Sequence, residues 1–451
     1  MKKLLCIALS LLMALTLTAA LAEPNTELSG TIRIIGPGAL NGSGAEGSED
    51  LISGEFKPGY NALFAAFNED YPNIKVEFTE TPWDNWKAVL QTAAAGGTAD
   101  ILLHGSMLTD ISMDLTPYLE QDPEIYDYMT TGPEEYRDPE DYTKTIPTGL
   151  SYVVDPYFAV LDKQIFEDYG VELPGMDWTY EDLLDLAAKL TGTDPVTGEQ
   201  TYGAYNFDLT ENNAWKLFSS YCASKGIDNH HFDDSSDKFG ATPTFNSEED
   251  VAALSYLNEL AKYSPANFVE NMGTEDLGRA TNNVAIRMTE GMLNFYNTTT
   301  YDDVVDRFVY MPLPVNEDQS DAKYSSFTGT NSIAIAKTAA EPDLAWTFIK
   351  WLIMDDAAQQ WLVDNKNCPS TFKGVEMLRE KGYPFVDAYE AIMSNFWDVY
   401  TIAQTNTVDV AYGNTSAIFF NGVSEMYAGM SPEDAAQAIQ DGVVEYMEMN
   451  K

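Results

Sequence analysis

The residues able to carry covalent or proton-transfer chemistry are few in this chain, and none stands at a spacing that catalysis uses. Histidine occurs at His104, His230 and His231, and cysteine at Cys6, Cys222 and Cys368. No G-x-S-x-G, H-E-x-x-H or C-x-x-C occurs, so the nucleophile elbow, the zincin helix and the dithiol pair are all missing. Gly42-Ser43-Gly44-Ala45-Glu46-Gly47 fits G-x-G-x-x-G and follows a strand. It stands too far past Ile35 for the tight turn a dinucleotide needs, and no helix opens directly from it. Asp233-Asp234-Ser235-Ser236-Asp237 has the acidic look of a calcium loop but lacks its glycine and bidentate glutamate. A solvated turn is expected there, with no metal and no cofactor. Paired carboxylates would serve glycoside hydrolysis. With 71 acidic side chains, however, chance pairs are everywhere.

The first segments of the chain alternate between strand and helix. Thr31-Ile32-Arg33-Ile34-Ile35 reads as a buried strand, and Tyr60 to Asp70 as a helix with apolar residues at 60, 63, 64 and 67. Ile74-Lys75-Val76-Glu77-Phe78 alternates like a half-buried strand. Trp83 to Ala95 suits a helix stopped by Gly96-Gly97, and Asp100-Ile101-Leu102-Leu103 is a further buried strand. This β-α-β-α-β order implies α/β architecture with a parallel sheet. Ligands of such sheets sit at the carboxyl ends of the strands, which singles out the loop after Ile35 and the segment after Leu103. Later helices begin at Thr179 and Ser247, both of capping type, and at Ser431-Pro432.

At the start, Lys2 and Lys3 precede a short apolar run from Leu4 to Leu17, and Ala20-Leu21-Ala22 fits a signal-peptidase site with cleavage before Glu23. Cys6 stands too early to be a lipidation cysteine. Residues 1–22 are therefore expected to be a cleaved leader, and the mature protein exported without a lipid anchor. The formal net charge of −46 repels phosphate backbones and anionic lipid headgroups, which argues against nucleic acid and against membrane surfaces. The ligand is expected to be neutral or cationic.

Eight ordered landmarks then resemble the family 1 extracellular solute-binding proteins, the group that includes maltodextrin-binding proteins. They are Phe67 to Val76, Leu90 to Ile101, Leu161 to Gly170, Trp178 to Leu183, Phe245 to Glu249, Val284 to Gly291, Ala345 to Leu352, and Lys57 to Leu63. Ala99 stands where the family has Pro, and Leu293 where it often has Trp. The resemblance implies a two-lobed fold with three hinge crossings, near Thr148-Gly149-Leu150, Met311-Pro312 and Ser332-Ile333-Ala334. One lobe is then residues 23–148 plus 312–334, and the other 149–311 plus 335–451. It also implies a monomer that takes a sugar or oligosaccharide into the interlobe cleft and passes it to the permease subunits of an ABC importer, with no catalysis. A secreted glycosidase and a peptide or polyamine binder of the same fold are the alternatives.

Sugars present C–H faces and rings of hydroxyls, so their sites pair aromatic platforms with Asp, Glu, Asn and Lys. His104 follows a strand end, with Ser106 beside it. Lys57 matches a helix-start motif of maltodextrin binders. Tyr152, Asp155 and Tyr157 follow the first expected crossing. Trp215 stands where the family often places a stacking ring, with Glu211 and Asn212 in the polar loop before it. Asn294 replaces the contact that Leu293 cannot make. Gly329 and Asn331 belong to a partly kept Gly-rich turn, and Trp397, Tyr412 and Asn414 to a cleft-lining C-terminal stretch. The remaining tryptophans, Trp83 and Trp86 among them, are assigned to packing.

Overall fold

The computed structural model describes residues 24–49, 54, 56–138, 140–141, 144–205, 207, 209, 213–225, 242–266, 268, 280–289, 305–315, 328–394 and 416–449. Its strands are β1 Gly30–Pro37, β2 Ser48–Glu49, β3 Phe56–Lys57, β4 Ile74–Thr81, β5 Ile101–Leu103, β6 Glu134–Arg137, β7 Thr145–Pro156, β8 Phe158–Asp162, β9 Gly192–Thr193, β10 Gln200–Tyr205, β11 Val284–Thr289, β12 Phe308–Pro312 and β13 Thr328–Ile335. Its helices are α1 Tyr60–Asp70, α2 Trp86–Ala95, α3 Thr116–Gln121, α4 Lys163–Tyr169, α5 Tyr180–Lys189, α6 Asn213–Ser224, α7 Glu248–Leu260, α8 Pro342–Met354, α9 Asp356–Asp364, α10 Phe372–Glu380, α11 Val386–Ser394, α12 Ser416–Tyr427 and α13 Pro432–Met449.

Two sheets organise these elements. The first has the order β4-β1-β5-β13-β7-β6 and the second β12-β8-β11-β10-β9. β1 pairs in parallel with β4 and β5, as the opening β-α-β-α-β pattern requires. Alternation along the strands sorts side chains to opposite faces. Ile101 and Leu103 join the core formed with α1, α3, α8 and α9, whereas Leu102 and Ala334 face α2. In the second sheet, Ala159 and Leu161 point into the core shared by α4 to α7, α12 and α13, while Phe158 and Val160 face α10 and α11. Each sheet thus carries its own apolar core, and the molecule has two lobes.

The lobe boundaries drawn from the sequence at Thr148 and Ala334 fall inside strands of the first sheet. β7 runs on to Pro156 and pairs with β13 from Pro156 opposite Thr328 to Leu150 opposite Ile333. Helices α8 and α9, expected in the second lobe, bury Leu344, Trp346, Phe348 and Trp361 against the first. An apolar run such as Leu150 to Val154 shows only that a strand is buried, and cannot say in which sheet. The chain passes from β7 to β8 across Tyr157 alone.

Local chemistry fixes several element ends. Thr179 caps α5 through a reciprocal capping box with Asp182, and Ser247 Oγ accepts from the Asp250 N–H at the start of α7. At α1 the loop supplies the cap: Gly44 O and Ala45 O accept from the N–H groups of Tyr60 and Asn61 at 2.9 and 3.1 Å. The G-x-G-x-x-G stretch is thus folded back on that helix, away from the dinucleotide geometry. Cys222 and Cys368 are free and buried in different cores, so they do not form a disulfide with each other. Among the described residues, no helix is long and apolar enough to cross a membrane.

Candidate binding cleft

Strand directions determine which residues face the gap between the lobes. β7 leaves the first sheet at Pro156 and β8 enters the second at Phe158, so the second lobe is attached beyond the carboxyl end of β7. β13 runs antiparallel to both β7 and β5, with Ile333 opposite Leu103. The carboxyl ends of β1 and β5 therefore point the same way as that of β7, toward the second lobe. In the second sheet Phe158 lies opposite both Thr289 and Pro312, and β10 runs parallel to β11. The carboxyl ends of β10, β11 and β12 thus point back at the first. Carboxyl ends face each other across the gap, the arrangement in which open α/β sheets bind ligands.

His104 stands at the end of β5 in this gap. Its backbone is left-handed, with φ 58°, a conformation that costs a non-glycine residue about 1–3 kcal/mol. Its N–H donates to Ser332 O at 2.7 Å, which holds it there. The ring is edge-on to Trp83, with centroids 4.9 Å apart, and to Trp86 at 6.0 Å. The imidazole is buried, and among the described residues Nε2 has no hydrogen-bond partner. Trp83, by contrast, is 54% exposed. A flat ring open to solvent can stack on the apolar face of a solute, and the imidazole packed against its edge helps to hold it in place.

Burial alone lowers the His104 pKa from 6.5 to about 4. The unfolded chain takes up a proton near 6.5, the folded one only near 4, so the folded state is favoured most above pH 6.5. That stability falls progressively as pH descends to 4, by about 3 kcal/mol in all. Urea unfolding of the protein and of His104→Asn across this range should diverge in slope. Coincident pH profiles would contradict the buried, neutral ring.

Asp155 lies at the cleft end of β7 opposite Gly329, and Asn331 lies opposite Val153 on the same strand pair. Lys57 is half-buried in β3. Ser106 departs from expectation: it is buried, with its hydroxyl bonded to Glu134 and to Ser332 Oγ. Trp215 is 3% exposed and lies edge-on to Phe419 at 4.9 Å, so it is a core ring of the second lobe and cannot stack on a solute. Tyr157 is fully buried at the crossing beneath Lys216, whose Nζ is 5.9 Å from its ring. Tyr152 is buried too, and burial, then the charge of Asp155, pushes its phenol up. Glu211, Asn212, Asn294, Trp397, Tyr412 and Asn414 lie outside the described residues, as do residues 1–23 and the stretch 233–237.

Trp83 is the residue that sequence reasoning missed. Asn85, left-handed at φ 59°, delays α2 until Trp86, so Trp83 sits in the turn after β4 instead of on a helix face. The turn formers Pro82, Asp84 and Asn85 around it were the available clue. Among the described residues, no three His, Cys, Asp or Glu side chains cluster as a metal would need.

Residues 53–359 match the family model described as bacterial extracellular solute-binding protein. No curated protein sequence matches the chain. Among solved structures, the chain is similar to an ABC substrate-binding protein of Listeria monocytogenes in complex with cycloalternan (TM-score 0.61, 20% identity, 93% of this chain and 100% of that one). It is similar as well to maltose-bound MalE3 of T. maritima (0.62, 18%, 93% and 100%) and to the sugar-binding protein MalE of Xanthomonas citri (0.68, 16%, 93% and 98%).

Proposed function

This chain belongs to the bacterial extracellular solute-binding proteins, and from that premise we propose that it captures a sugar or oligosaccharide between its lobes and delivers it to an ABC importer. The observation that carries the sugar reading is the exposed Trp83 ring set against the buried His104 imidazole at the cleft end of the first sheet. Asp155 and Asn331, at the same end, supply groups that bond hydroxyls. The cycloalternan and maltose in the similar structures support the same ligand class. The crossings we assign are Pro156–Tyr157, the stretch between Pro312 and Thr328, and residues 365–371, where the backbone passes from α9 in the first core to α10 against the second sheet. Ligand that touches both lobes only when they close drives that closure, since equal affinity for open and closed states would shift nothing. Export by the leader ending at Ala22 and a monomeric state complete the reading.

Calorimetry of the protein cut before Glu23, against maltodextrins, polyols, peptides and polyamines, tests it. We expect heat of binding and a raised Tm with a sugar or polyol, and no product by chromatography after prolonged incubation. Binding confined to peptides or polyamines, or release of shorter saccharides, would overturn the proposal.

A further inference from the structure

One buried carboxylate gathers three hydroxyls, from β6, β7 and the turn after β5, and reaches β13 through a fourth. Glu134, the first residue of β6, is 6% exposed. Its Oε1 accepts from Ser151 Oγ at 2.6 Å, and its Oε2 accepts from Tyr136 OH at 3.2 Å and from Ser106 Oγ. Ser106 Oγ also lies 2.7 Å from Ser332 Oγ. A serine hydroxyl has one proton, and Ser106 gives its proton to the carboxylate, so Ser332 is the donor in that pair. The relay therefore runs from Ser332 to Ser106 to Glu134. The backbone has made room for it. Gly149 lies opposite Glu134 in the β6–β7 ladder, and a Cβ there would stand 2.7 Å from Ser106 Cβ and 3.0 Å from Ile333 O.

Both ends of this network lead to parts of the molecule that matter for the cleft. Ser332 O is the acceptor that holds His104 in its left-handed turn, and the β13 ladder shifts register between Asn331 and Ser332. On the other side, Ser151 O accepts from Ser370 Oγ, and Tyr152 O accepts from the Ser370 N–H at 3.2 Å. Through Ser151, Ser332 and Ser370 the carboxylate reaches β7, β13 and the segment 365–371, the three stretches that lead into the interlobe crossings. We propose that Glu134 is a positioning residue that couples the His104 turn to those crossings, so that occupancy of the cleft and the closing of the lobes bias one another. This rests on the cleft assigned above.

The test uses the full chain without ligand. Glu134→Gln keeps shape but replaces one acceptor oxygen by a donor, which opposes a hydroxyl of the relay. We expect hydrogen exchange of the His104 amide to speed up about tenfold, with the Ile286 amide in β11 unchanged. Ser332→Ala should do the same, and the double variant should be no faster than either alone, because both break one chain. In the ligand assay Glu134→Gln should raise Kd about tenfold. His104 exchange that stays at the wild-type rate, additive effects, or equal acceleration at His104 and Ile286 would each overturn the proposal. If circular dichroism shows Glu134→Gln unfolded, Ser151→Ala removes one donor only and should still speed His104 exchange; an unchanged rate there refutes the link. The exchange readout needs no ligand, so a failure to bind any sugar would defeat the functional reading and leave this measurement standing.

Discussion

Replacing Trp83 by alanine is expected to raise Kd for the sugar by roughly 30- to 100-fold, a loss of about 2–3 kcal/mol, while Tm stays nearly constant. The two halves of this expectation come from the same observation. The ring is 54% exposed, so the folded protein gives up little when it goes. The face it offers is the flat apolar surface that a pyranose ring would cover, and losing a buried aromatic anchor is among the costliest truncations at a binding site. A third consequence separates this site from a generic exposed ring. Trp83 roofs His104 at 4.9 Å, so its removal lets water reach the imidazole and moves its pKa up from about 4 toward 6.5. The acid sensitivity of the wild type should therefore shrink in Trp83→Ala. Calorimetry with a pH series of unfolding measures both effects, and an unchanged Kd would remove Trp83 from the site.

Gly203→Ala should be the most damaging single methyl in the second lobe. A Cβ at this β10 position would stand 1.9 Å from Ala187 O and 2.4 Å from Ala187 Cα. The obstacle is helix backbone in α5, which cannot swing aside as a side-chain end can. α5 is pinned besides, by its capping box at Thr179 and by Thr191 Oγ1, which accepts from the Gly203 N–H at 2.9 Å. We expect a loss of about 3 kcal/mol or more, and a fall in Tm of roughly 6–12 °C for the transition that includes this lobe. Gly132→Ala, where nothing lies within 4 Å, is the matched control and should be neutral or slightly stabilising. Equal Tm values for the two variants in scanning calorimetry would show that α5 can retreat from the sheet.

Most of the secondary structure was legible in the sequence, because its cause is local. Strands β1, β4 and β5 announce themselves by alternation or short apolar runs between turn formers, and the caps at Thr179, Ser247 and Ser431 mark helix starts. The site was legible only in part, and Trp83 and Trp215 show why. Both are tryptophans near a helix start, but one lies in the turn before its helix and the other inside the helix at a core position. A single left-handed residue, Asn85, decides the first case, and Phe419, 204 positions away in sequence, packs on the second ring. Contacts of that range leave no periodicity to read. The same limit explains the lobe boundaries: burial of α8 against the first sheet depends on partners such as Phe64 and Phe67, far back in the chain.

The ladder between β7 and β13 has a mechanical meaning. It keeps Thr328 opposite Pro156, so two of the covalent links to the second lobe leave the first sheet side by side, at one level. Sliding or twisting one link against the other would break backbone hydrogen bonds between neighbouring strands. Bending both together breaks none. Of the motions open to these two links, bending them together is therefore the one that the ladder opposes least. On the proposed function, occupancy of the cleft would be expressed as an angle between the lobes.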